Sequence, residues 1–233
     1  MLLGQTFAGH ALSHIGFAGA TGAALIGLSP LGGMLVFTVV AGIGMGVLGE
    51  RLSGRDVGIG IVLALALGFG LLFLKLYPSN AAQTTSLLFG NVLAVSKATL
   101  VSLAGLAAVT LAGLAAISRP LLFASLQPEL AEARGVRVGF VGTLFMVIVA
   151  ITVAQSVQIV GILLVFALMV GPPATAMLLT TRIGRGIALS AVLALAEAWA
   201  GIAIAFHTDW PTSFCITALS AALYLLALTL RRT

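Results

Sequence analysis

Long apolar runs, separated by short stretches of Gly, Pro or charge, set the rhythm of the chain: 3–28, 31–48, 57–76, 98–117, 138–154, 159–179, 187–206 and 213–230. The runs do not alternate with polar residues, so they predict helices rather than barrel strands. Each is close to the length of about 20 residues that crosses a hydrocarbon layer. A further apolar piece, 87–95, is too short to span and predicts a half-helix or interfacial segment. The expected fold is all-α: a polytopic transmembrane bundle of about eight spans plus one short half-helix and a cytoplasmic helix, as a single domain over 1–233.

Composition agrees, since 61% of the 233 residues are hydrophobic and only 7% charged, well outside the range of soluble domains. Charge then orients the spans. Arg51, Arg55, Arg119, Arg134, Arg137, Arg182, Arg185, Arg231 and Arg232 fall on one side of an eight-span chain, and only Lys75 and Lys97 on the other. Cytoplasmic loops carry the excess of Lys and Arg, so both termini are expected inside. In so apolar a chain this basic balance reflects lipid headgroups, not nucleic acid. Met1 to Gln5 hold no basic residue, which excludes an ordinary signal peptide and leaves the first helix in the membrane. Cys215 is the single cysteine, so no intrachain disulfide or thiolate cluster forms.

Small residues and prolines shape the spans. Gly42 and Gly46 make a small-xxx-small step for close helix contact. Gly44 to Gly49 fits GxGxxG formally but lies in a span with no preceding strand, which excludes a dinucleotide site. Gly171-Pro172-Pro173 predicts a break in the sixth span, because proline removes backbone donors. Broken helices line transport paths, and packing kinks have the same cause.

Ionisable side chains at membrane depth are few and therefore informative. His10 and His14, with Ser13 between them, share one helix face a turn apart, which is how a helix offers two nitrogens to one metal ion. Glu197 lies inside the seventh span, and His207 with Asp209 at its outer end. All five are N or O donors suited to Zn, Mn or Fe, and none is the soft thiolate of a Cu(I) site. Asp209, just before Trp210-Pro211, equally suits a cap on the next helix.

One loop has the grammar of a short helix. Across 125–136, Pro128 suits the first helical position, Glu129 and Glu132 the positive end, Arg134 the negative end and Gly135 the left-handed stop. A helix this short is marginal alone and needs something to pack on. A cytoplasmic motor or the bilayer surface both qualify. GxxxxGK[ST] is absent, so the chain cannot cradle ATP in a P-loop and any ATP is hydrolysed elsewhere.

In order, His10-Ala-Leu-Ser-His14, Gln127 to Gly135, Val160 to Ala176 and Asp209-Trp-Pro-Thr212 resemble the motifs of the family-3 ABC metal-ion permeases, the bacterial uptake systems for zinc, manganese and iron. The resemblance covers nearly the whole chain. It implies a plasma (inner) membrane permease coupled through Gln127, Glu129, Glu132, Arg134 and Gly135 to a cytoplasmic ABC ATPase. It further implies a second permease copy, as a homodimer, and a periplasmic or lipid-anchored protein that delivers the ion. It places positions 10 and 14 in the translocation path, with Glu197, His207 and Asp209 as further candidates. No cofactor is expected to reside in the protein; Zn2+, or Mn2+ or Fe2+, is its substrate. His10 stands where the family has Asp, and two imidazoles favour zinc. Gln127 stands where Asp is usual, a poorer N-cap. The family's helix before the first motif is missing, which predicts a truncation or a start placed too far downstream. The competing expectation is an ATP-independent secondary metal transporter or channel using the same histidines and Glu197.

Overall fold

The structure, a computed structural model, describes residues 6–48, 55–76 and 95–232. Arg51, the start before Thr6 and the half-helix over 87–94 lie outside the described residues. Among those described, eight long helices and one short helix follow in order: α1 (Thr6–Leu25), α2 (Pro30–Leu48), α3 (Arg55–Leu76), α4 (Lys97–Leu126), α5 (Pro128–Ala133), α6 (Val138–Val160), α7 (Ile162–Leu179), α8 (Ile183–Thr208) and α9 (Thr212–Arg232).

Seven of these are long and apolar enough to cross a membrane. The eighth long helix, α1, is rich in Gly, Ala, Ser, Thr and His, and it needs less apolar surface because its neighbours cover it. Ala8, Ala11, Leu12, Ser13, Ile15 and Ala20 are all buried, and α1 touches α2, α3 and α6. By contrast, Ile61, Leu65, Phe69 and Leu72 form an exposed apolar face on α3, as a lipid-facing helix requires.

The chain clusters into two compact units, 2–162 and 163–233. In the first, α2 crosses α6 where the glycine step predicts close approach. A Cβ at Gly46 would sit 2.6 Å from the Thr143 Cα, and one at Gly42 3.0 Å from the Met146 carbonyl oxygen. In the second, α8 and α9 pair, with Gly201 of α8 directly against Ile216 of α9. Cys215 is a free, buried core residue.

Three boundaries depart from the sequence expectation. The fourth span does not stop at 117: α4 continues through Ser118, Arg119 and Pro120 to Leu126. Pro120 removes one donor from an otherwise intact ladder. Arg119 lies about 33 Å along the helix from Lys97 at 1.5 Å per residue, so it clears a hydrocarbon layer of about 30 Å. The break expected at Gly171-Pro172-Pro173 is also absent, for α7 runs through all three as helix. The prolines withhold only the donors that the Leu168 and Met169 carbonyls would take. The real interruption comes earlier, at Gly161, with φ 81° and ψ 164°, a conformation open to glycine. Gln155 to Gln158 therefore belong to α6 rather than to a connection.

Candidate metal site and translocation path

On α1 the spacing of four brings the two imidazoles together. The rings of His10 and His14 lie 4.6 Å apart, edge to face at 84°. Ser13, wholly buried between them, donates its hydroxyl to the His10 carbonyl oxygen at 2.7 Å, so it serves the helix and leaves the ring nitrogens alone. Nδ1 of His14 is buried with no hydrogen-bond partner. Buried polar atoms are ordinarily satisfied, so this nitrogen is available to a ligand. The helix holding the pair is the one most enclosed by its neighbours, which keeps the rings out of lipid.

The other candidates belong to the second unit and do not gather. Glu197 is fully buried in α8, with both carboxylate oxygens lacking a hydrogen bond. The Ser220 hydroxyl of α9 faces it, outside good hydrogen-bond geometry. His207 is exposed at the end of α8, edge to face with Phe206 at 5.5 Å. About 15 Å of helix separates it from Glu197. Asp209 is the residue that ends α8: with φ 54° it takes the left-handed C-cap position, which Asp tolerates better than most side chains. It therefore closes α8 and does not supply the alternative cap on α9. In neither unit do three or more His, Cys, Asp or Glu among the described residues converge to hold an ion.

The short helix expected within 125–136 is α5, six residues long, opening at Pro128 as its sequence predicts. Pro128 takes an opening position, Glu129 the first turn, and Arg134 the C-cap. Gly135 adopts φ 83° and closes a Schellman pair: its N–H donates to Glu132 at 2.9 Å and that of Val136 to Ala131 at 2.9 Å. Gln127 makes no side-chain cap bond, as its length predicts. Ala131 is buried, while Glu129, Leu130, Glu132 and Arg134 are exposed. The helix thus stands on α4 and α6 and presents a charged outer surface.

Sequence reasoning missed several buried polar atoms that lack partners: Gln155, Gln158, Thr175 and Ser220. The two glutamines lie three apart on one face of α6, in a stretch that apolar length alone assigns to a connection. Thr175 follows Gly171 by one helical turn, a spacing that could have drawn notice.

The ABC 3 transport family matches over residues 1–231. This chain belongs to that family. Among ABC 3-like relatives, the "Manganese transport system membrane protein MntC" of Halalkalibacterium halodurans is 30% identical over 228 residues, covering 97% of this chain and 78% of its own length. The "Probable iron transport system membrane protein" of Haemophilus influenzae is 28% identical over 230 residues, with coverage of 98% and 84%. A solved structure, "PsaBC from Streptococcus pneumoniae in complex with Fab", superimposes with a TM-score of 0.85 at 26% identity, covering 97% of this chain and 81% of that one. The all-helical membrane fold read from the apolar runs is therefore that of an ABC 3 member. Both relatives are named for metal transport, manganese in one case and iron in the other, and neither name mentions zinc.

Proposed function

We propose that the chain is the membrane permease of an ABC importer for a divalent first-row metal ion, with manganese or iron ahead of zinc. The observation that carries this is the His10–His14 pair, two rings 4.6 Å apart on an enclosed membrane helix of an ABC 3 protein. The ranking of metals follows the names of the relatives and departs from the zinc preference that two imidazoles alone suggest.

In this reading α5 docks a separate cytoplasmic ATPase, a second copy of the chain completes the membrane unit, and an extracytoplasmic binding protein delivers the ion. The protein lies in the bacterial plasma membrane and acts as a transport subunit, with no catalytic centre of its own. Its exposed, capped α5 is what supports the docking role. Reconstitution of the chain with its ATPase in proteoliposomes tests the assignment. Mn2+ or Fe2+ uptake that requires ATP is expected; uptake that proceeds equally without ATP would instead make it a secondary transporter.

A further inference from the structure

Hydroxyl groups in the membrane helices mostly bond back to their own backbone. Thr21 donates to Phe17, Thr38 to Met34, Thr110 to Leu106 and Thr152 to Ile148, at 2.7 to 3.1 Å. Two buried ones in the second unit do not. Ser220 of α9 and Thr175 of α7 are 3% and 2% exposed, and both hydroxyls lack partners. They accompany Glu197, 0% exposed, whose two carboxylate oxygens also lack hydrogen bonds. Ser220 links the three helices. Its hydroxyl faces the Glu197 carboxylate and lies against Gly171 of α7, where it occupies the space a side chain would need.

Depth supports the grouping. Counted from the neighbouring helix ends at Thr208, Thr212 and Ile162, Glu197, Ser220 and Gly171 lie about 16, 12 and 14 Å into the membrane at 1.5 Å per residue. Thr175 is one turn farther along the Gly171 face of α7. On that same face the Leu168 carbonyl has lost its intrahelical donor to Pro172. A bare carboxylate at this depth is costly and calls for a positive partner.

We propose that Glu197, Ser220, Thr175 and the Leu168 carbonyl form an all-oxygen cation site within the second unit, which takes Mn2+ in transit. The inference rests on the metal-importer reading above. One anionic and three neutral oxygens, without nitrogen or sulfur, select a hard ion and so favour Mn2+ over Zn2+. The histidine pair of α1 gives no such preference. This site therefore adds a preference for Mn2+ that the histidines do not supply.

Titration of the purified full-length chain with Mn2+, followed by loss of the free-ion EPR signal, tests the site. The wild type is expected to bind one more Mn2+ per chain than Glu197→Gln, and Ser220→Ala, which keeps the packing against Gly171, to weaken that ion about tenfold or more. Zn2+ is expected to displace Mn2+ less readily from this site than from the His10–His14 site left in Glu197→Gln. Wild-type stoichiometry in Glu197→Gln, or unchanged affinity in Ser220→Ala, overturns the site and leaves the importer reading standing. A wild type that binds no Mn2+ overturns the site and manganese as the cargo, and absence of ATP-dependent Fe2+ uptake as well would overturn the importer reading.

Discussion

His14 is the side chain on which the proposed chemistry turns most directly, because its Nδ1 is buried without a partner and its ring meets that of His10. His14→Ala is expected to lower metal uptake in proteoliposomes at least about tenfold, the scale on which even supporting groups alter metal affinity. Co-purification with the ATPase is expected to survive, since α5 is remote in sequence. His10→Asp restores the acidic residue of the resembled motif and adds a hard oxygen, so competition assays are expected to shift toward Mn2+ at the expense of Zn2+. An unchanged Mn2+/Zn2+ ratio would remove position 10 from the path. This pair was legible in the sequence because helical spacing is a local property and polar residues at membrane depth are scarce. Ser220 and Thr175 were not: a serine or threonine in a span usually bonds to its own helix, and only the neighbouring α7 and α8 reveal that these two do not.

At the scale of elements, glycine positions that look alike in sequence separate by what they touch. Gly46 meets Thr143 of α6, whereas Gly44 has nothing within 4 Å. Gly46→Ala is expected to destabilise the protein by roughly 1–3 kcal/mol through overpacking, and Gly44→Ala to stay within about 0.5 kcal/mol. Thermal unfolding in detergent compares them; equal midpoints would mean that the α2–α6 crossing is not close. The glycine step marked α2 for a close crossing without naming its partner, and the apolar runs misplaced the helix breaks. Proline is the strongest sequence signal for interruption, yet Pro120, Pro172 and Pro173 all sit within helices, since each withholds a single donor and the rest of the ladder carries the helix through. For α5 the local signals were sufficient: Pro128, Glu129 and Gly135 each occupy the positions that capping chemistry assigns. Glu129→Lys reverses a charge on its exposed surface and is expected to reduce ATPase co-purification several-fold while Mn2+ binding by the chain persists. Undiminished co-purification would remove α5 from the docking surface.

The molecule as a whole was read from two averages, apolar length and the side on which charges fall, and both are insensitive to side-chain detail. That is why eight long helices emerge in the expected order among the described residues, while which buried groups meet depends on tertiary packing that no window of sequence contains. Orientation is the global property that follows from charge alone. Nine of eleven basic residues lie on one side, and the two termini of α4 test that assignment cleanly: Lys97 opens the helix on the predicted outer side, and Arg134, just beyond it after α5, stands on the predicted inner side, both exposed. Replacing the buried Cys215 by Ala removes the single native thiol, after which one cysteine is introduced at either position. Lys97→Cys is expected to react with a membrane-impermeant maleimide in intact cells, and Arg134→Cys only after the membrane is permeabilised. The reverse pattern would put α5 outside the cell, where no ATPase could reach it, and the coupling role would fall with the orientation.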